Sequence, residues 1–122
     1  MNPVCGIVAS TNIAEYYTIW SCTPDGDPTS NPCSDSWYGI SCDNVSGVEA
    51  ITAINLDSVG LVGTLPDSLM QLTTLHNLDF HDNSLSGTIP NSIGQLVVLS
   101  VLSLYENLLY GSIPISIDSN NT

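Results

Sequence analysis

The sequence predicts an α/β solenoid: three stacked repeats of 24 residues behind an N-terminal cap. Three observations carry that prediction. Glycines at Gly63, Gly87 and Gly111 and prolines at Pro66, Pro90 and Pro114 both recur every 24 residues. Apolar ladders precede them at matching offsets: Val48, Ile51, Ile54, Leu56; then Leu72, Leu75, Leu78, Phe80; then Leu96, Leu99, Leu102, Leu104. Residues 1–47 lack this period and hold all four cysteines, as a cap would.

Within the cap, Asn12-Ile-Ala-Glu15 reads as a helix start, with an acidic residue three positions after the asparagine. Ile13, Tyr16, Tyr17 and Trp20 would then share one helical face. Thr23-Pro-Asp-Gly-Asp-Pro28 and Ser30-Asn-Pro32 are turn and loop chemistry. Next comes Pro32-Cys33-Ser-Asp-Ser-Trp37-Tyr38-Gly39-Ile40-Ser41-Cys42, with Trp37 placed to cover the first apolar rung. The aromatic residues are therefore read as cap core rather than as ligand platforms. Met1 to Ser10 shows no secretory leader, so a mature segment or a piece of a longer protein is expected.

The repeats span 48–71, 72–95 and 96–119. In Leu78-Asp79-Phe80 and Leu102-Ser103-Leu104 the alternation points apolar side chains inward from a short strand. Asn83 and Asn107 follow, where a side-chain amide bonds turn backbone that no regular ladder satisfies. The first repeat has Val59 there, so its rung is expected to lack that tie. Leu61-Val-Gly-Thr-Leu-Pro66, Leu85-Ser-Gly-Thr-Ile-Pro90 and Leu109-Tyr-Gly-Ser-Ile-Pro114 then turn the chain back. Together the columns spell L-x-x-L-x-x-L-x-L-x-x-N-x-L, the leucine-rich repeat. One such repeat cannot bury its own core, so neighbours stack and both ends need covers.

With C-x-x-x-W-x-G-[IV]-x-C at 33–42 ahead of L-x-G-x-[IL]-P repeats, the chain resembles the plant-type extracellular leucine-rich-repeat proteins. These include receptor-kinase ectodomains and polygalacturonase-inhibitor-like proteins. The resemblance implies a curved right-handed solenoid, a parallel sheet on the concave side, and irregular or 3-10 segments on the convex side. It also implies a Cys33–Cys42 bridge in the cap and, with it, Cys5–Cys22. Such a pairing agrees with the cysteine count, which suggests two disulfides and an oxidising, extracellular or cell-surface setting. The sequence departs from the family in having three repeats and no cysteine-containing C-terminal cap.

No Lys or Arg is present against twelve acidic residues, a net charge of −12. Nucleic acid and anionic membrane surfaces are thereby excluded as partners, since both need basic surface. No apolar run is long enough to span a bilayer. Catalytic fingerprints are missing as well, so no enzyme and no cofactor are expected. Strand counting instead puts Ala53, Asn55, Asp57 and Ser58 beside Asn77, Asp79, His81 and Asp82, and those beside Val101, Ser103, Tyr105 and Glu106. The concave face then carries Asp57, Asp79, Asp82 and Glu106 around His81, with Tyr105 adjacent. Carboxylates on strands about 4.8 Å apart can share a Ca²⁺ ion or meet a basic partner, but with no ligand-spacing motif the simpler expectation is a solvated acidic face.

N-x-[ST] glycosylation sequons stand at Asn44 and Asn120. At the far end, Leu102, Leu104, Leu109, Ile113, Ile115 and Ile117 form an apolar rung. It is expected to be covered by further sequence, of which 120–122 is a polar start, or by a neighbouring copy. The function expected is a non-catalytic extracellular recognition or adhesion module, taking a protein or carbohydrate partner on its concave face. The alternative is a structural subunit that self-associates end to end into an extracellular glycoprotein filament or coat.

Overall fold

The computed structural model describes residues 2–17 and 20–112. Helix α1, Pro3–Ser10, is an addition to the expected elements. Asn2 Oδ1 accepts from Val4 N at 3.1 Å and proline occupies the first helical position, where a missing N–H costs nothing. Thr11 closes the helix by donating through both N and Oγ1 to the Ile7 carbonyl, at 3.0 and 2.7 Å.

Helix α2 is a single turn, Ile13–Tyr16, and the expected face running on to Tyr17 and Trp20 does not form. The helix ends where Tyr17 leaves helical geometry, at φ −121° and ψ 85°, and at its start the Asn12 side chain makes no cap bond. Its Oδ1 accepts instead from Val62 N at 2.8 Å, and its Nδ2 donates to Gly60 O at 3.3 Å. Asn12 thus ties the cap to the first repeat. Tyr17, past the end of α2, stacks on Tyr38 with ring centroids 4.3 Å apart. Trp20 and Trp37 are both buried, 5.1 Å apart, each with its indole N–H satisfied, by Tyr38 O and Ser30 Oγ respectively. The two tryptophans belong to the core of the cap, whereas Tyr17 is half-buried and Tyr38 is exposed.

Strand β1, Ile40–Val45, pairs antiparallel with β2, Val48–Asn55. The two-residue connection Ser46-Gly47 has φ of 53° and 85°, the combination a type I′ hairpin needs. In chain order there follow β3 (Val62–Thr64), β4 (Asn77–Asp79), β5 (Ser84–Ser86) and β6 (Val101–Ser103). Strands β2, β4 and β6 pair in parallel, with Ala53 opposite Asn77 and Asn77 opposite Val101. Register therefore follows the 24-residue period of the sequence. The hairpin strand β1 lies on the outer edge of β2 and closes it, a task for which the cap is suited.

A smaller parallel sheet, β3 with β5, lies along the return path of the chain. Beyond it, Pro66 and Pro90 each lead into a 3-10 segment, Asp67–Gln71 and Asn91–Gln95. Between these layers Leu56, Leu61, Leu69, Met70, Leu75, Leu78 and Leu85 are fully buried, and they share one cluster with Val4, Ile7, Ile13, Trp20 and Trp37. Each such side chain contributes about 1.5–3 kcal/mol by leaving water. Cap and repeats are thus one folding unit.

The asparagine column fastens the turns. Asn83 donates from Nδ2 to the carbonyls of Leu56, Phe80 and His81, at 2.8, 2.9 and 3.2 Å. Its Oδ1 accepts from Val59 N at 3.2 Å and Leu61 N at 3.0 Å. The first rung accordingly does not lack a polar tie, contrary to expectation. Asn83 reaches back one repeat to supply what Val59 cannot.

Candidate functional site

The outer face of the β2–β4–β6 sheet is built by alternation. Leu78 and Phe80 point into the core, so Asp79 and His81 between and after them point out. One step further, Ser58, Asp82 and Glu106 all take positive φ, at 53°, 56° and 56°. This recurrent left-handed residue turns the chain off each strand and sets a polar side chain at the rim.

His81 is the hub. Asp79 Oδ1 accepts from His81 N at 3.1 Å and pairs with the ring Nδ1, fixing both backbone and imidazole. On the other side, His81 Nε2 lies 4.0 Å from Asp57 Oδ2. Tyr105 stacks on the imidazole, with centroids 4.5 Å apart and planes inclined by 13°. Ser58 Oγ donates to Asp82 Oδ2 at 2.8 Å, joining consecutive rims. The hydrogen bond from Asp79, helped by the negative charges of Asp79, Asp57 and Asp82, raises the His81 pKa above its ordinary value against the opposing effect of burial.

Six residues foreseen for this face, Asp57, Asp79, His81, Asp82, Tyr105 and Glu106, thus occupy adjacent rungs of one surface. Four are linked through His81 by the contacts above, Asp82 is bonded to Ser58, and Glu106 stands at the rim position equivalent to Asp82. A carboxylate–imidazole pair is half of an acid–base device. Among the described residues, however, no hydroxyl bonds His81, and all four cysteines are in bridges. Nor does any group of three or more His, Cys, Asp or Glu side chains among them converge to hold a metal ion. What the face offers is charge, hydrogen-bond acceptors and one stacked aromatic pair, a surface for guanidinium or ammonium groups.

The remaining predicted positions fall elsewhere. Cys5 bridges Cys22 and Cys33 bridges Cys42, with Cα–Cα separations of 6.0 and 5.8 Å. Asn44 is exposed at the end of β1, its Oδ1 accepting from Gly47 N at 2.9 Å. Leu102, Leu104 and Leu109 are half-buried against the core. Ile113, Ile115, Ile117 and Asn120 lie outside the described residues. Ser58 belongs to the site and had no assigned role. Its signal was its column, since it stands 24 residues before Asp82.

Comparison with known proteins bears on the repeats and the fold. Residues 74–96 match the family described as Leucine Rich Repeat. Receptor-like protein kinase 5 of Arabidopsis thaliana is 38% identical over 71 residues, 58% of this chain and 6% of that protein. In the crystal structure of the Arabidopsis BIR3–SERK2 complex, a chain 33% identical superposes with a TM-score of 0.77, over 95% of this chain and 60% of its own length. In that of the Arabidopsis receptor kinase HAESA with the peptide hormone IDA and the co-receptor SERK1, the figures are 32% identity, TM-score 0.73, 99% of this chain and 20% of that one. The chain spans only a small part of the curated relative, 6% of its length.

Proposed function

We propose that this chain, as an extracellular leucine-rich-repeat protein of the plant type, is a non-catalytic recognition module whose concave face binds a basic segment of a partner protein. The observation that carries the reading is the registered cluster of Asp57, Asp79, Asp82 and Glu106 around the stacked His81–Tyr105 pair. With no Lys or Arg in the chain, every cation on this face other than protonated His81 must come from the partner. An arginine suits it well, since a guanidinium pairs with carboxylates through two hydrogen bonds while lying flat on an aromatic ring. Among the similar structures, HAESA was solved with a peptide hormone and a co-receptor, which supports a protein or peptide as the class of partner.

Panning a random-peptide display library against the folded protein tests the proposal. Enrichment of Arg- and Lys-containing peptides is expected. Asp79→Asn with Asp82→Asn should weaken the enriched peptide about fivefold or more, and added salt should act in the same direction. Asparagine tolerates the left-handed backbone of residue 82, so this variant keeps the fold. An enriched peptide indifferent to both changes would move recognition off this face. Asn44, exposed beside the hairpin, is in our reading a glycan acceptor. Material secreted from a eukaryotic host should lose mass on glycosidase treatment, and Asn44→Gln should abolish that part of the loss.

A further inference from the structure

A second concavity lies where the β3–β5 sheet meets the two 3-10 segments. It is a groove of about 530 Å³ whose polar lining comes from Thr64, Asp67, Thr88, Asn91 and Ser92, with Tyr110 at its side. Thr64 and Thr88 are equivalent positions one repeat apart, and so are Asp67 and Asn91. The stacking of repeats therefore builds the groove. Tyr110 breaks the repetition, because Val62 and Ser86 occupy its column in the earlier repeats.

Backbone bonds hold Tyr110 in place. Leu108 N donates to Leu85 O at 2.8 Å and Tyr110 N donates to Gly87 O at 3.0 Å, continuing the parallel ladder of β3 and β5. The side chain nevertheless remains 68% exposed. On the groove floor, Ser92 Oγ donates to Asp67 Oδ1 at 2.8 Å and orients that carboxylate. Gly87 adds no side chain, so the space between Thr64 and Tyr110 stays open.

We propose that this groove binds a neutral oligosaccharide, with one pyranose ring lying on Tyr110 and its hydroxyls bonded to Asp67, Asn91 and the neighbouring hydroxyl side chains. A sugar ring presents a C–H face together with hydroxyls that donate and accept at once. An exposed aromatic ring beside a carboxylate, an amide and three hydroxyls is the complement of that surface. Charge selects among sugars. The chain has no Lys or Arg and a net charge of −12, so uronates, sulfates and phosphates meet repulsion with no compensating cation. An apolar peptide side chain would find little besides Tyr110 and the Pro90 ring, because Leu65 at the groove is only 6% accessible.

The test is a titration of isotope-labelled protein, followed by amide chemical shifts, with cellopentaose, xylopentaose and mannopentaose, and with pentagalacturonate as the charged comparison. At least one neutral sugar is expected to give saturable shifts at Thr64, Thr88, Asn91, Ser92 and Tyr110, while pentagalacturonate gives none. Tyr110→Ala should weaken binding about three- to tenfold and Tyr110→Phe by less than about twofold, the difference being the ring. Asp79→Asn with Asp82→Asn should leave it unchanged, which keeps this result separate from the fate of the concave face. Absence of shifts with all three neutral sugars would overturn the proposal. So would equal binding of pentagalacturonate, or a Tyr110→Ala protein with intact spectrum and unaltered affinity.

Discussion

Alanine at Gly63 and alanine at Gly87 are the same change at the same column of two repeats, yet they should differ greatly in cost. At Gly87, with φ of 82°, a Cβ would meet only Thr64 Cγ2, at 3.6 Å, an ordinary contact. The cost there is the left-handed backbone, about 1–2 kcal/mol. At Gly63, with φ of 138°, a Cβ would stand 2.0 Å from Ser10 O and 2.8 Å from Thr11 Cα. Both are backbone atoms, so the cap has to back away. It would give up Ser10 Oγ to Thr64 O (2.9 Å), Asn12 N to Val62 O (3.2 Å) and Val62 N to Asn12 Oδ1 (2.8 Å). At about 1 kcal/mol for each of these bonds and about 1–3 for the strained backbone, Gly63→Ala should cost about 4–6 kcal/mol. Urea unfolding followed by tryptophan fluorescence suits the comparison, because Trp20 and Trp37 both report from the cap core. Equal losses for the two variants would refute the view that Gly63 is the seam between cap and repeats.

Three further outcomes follow from the same structure. Asn83→Ala strips Val59 N and Leu61 N of their acceptor and should cost about 3 kcal/mol in denaturant, whereas Asn107→Ala strips only Leu85 N and should cost about 2; the reverse order would contradict the back-reaching ladder. Because the His81 pKa is raised in the fold, its charged form stabilises the protein below the ordinary histidine value of about 6.5, and this contribution fades as pH rises through the raised value. Its ring resonances should titrate above that ordinary value and fall with Asp79→Asn, and a midpoint at or below it in the parent protein would sink the account of the hub. Removing either bridge, with loops of 17 and 9 residues, should cost about 3 kcal/mol by chain entropy, and a loss near zero for Cys5→Ala with Cys22→Ala would show that α1 docks without its tether.

Much of the fold was legible because the repeats report their own register. Asn77 opposite Val101 and Asp79 opposite Ser103 are read directly from a 24-residue offset, and with them the composition of the concave face. The cap repeats nothing, so its reading rested on local signals that compete with tertiary contacts. Asn12 has the look of a helix cap, but its side chain is worth more as a tie to Val62 and Gly60. The Asn2-Pro3 start of α1 was a usable signal. The hairpin at Ser46-Gly47 was another, flanked as it is by Val45 and Val48. Val59 shows a limit of a different kind, since a turn can be satisfied from the next repeat and no single rung reveals it. Gly63 and Gly87 are indistinguishable in sequence, and only the docked cap separates them.

Recognition by the concave face is tested most directly by mapping an enriched basic peptide onto the isotope-labelled protein through amide and histidine-ring chemical shifts. The largest changes should fall at Asp57, Asp79, His81, Asp82, Tyr105 and Glu106. Affinity should strengthen as rising pH removes the proton from His81, since the imidazolium repels the incoming cation. Shifts confined to the cap or to the groove beside Tyr110, with His81 unmoved and affinity flat across its titration, would contradict the account.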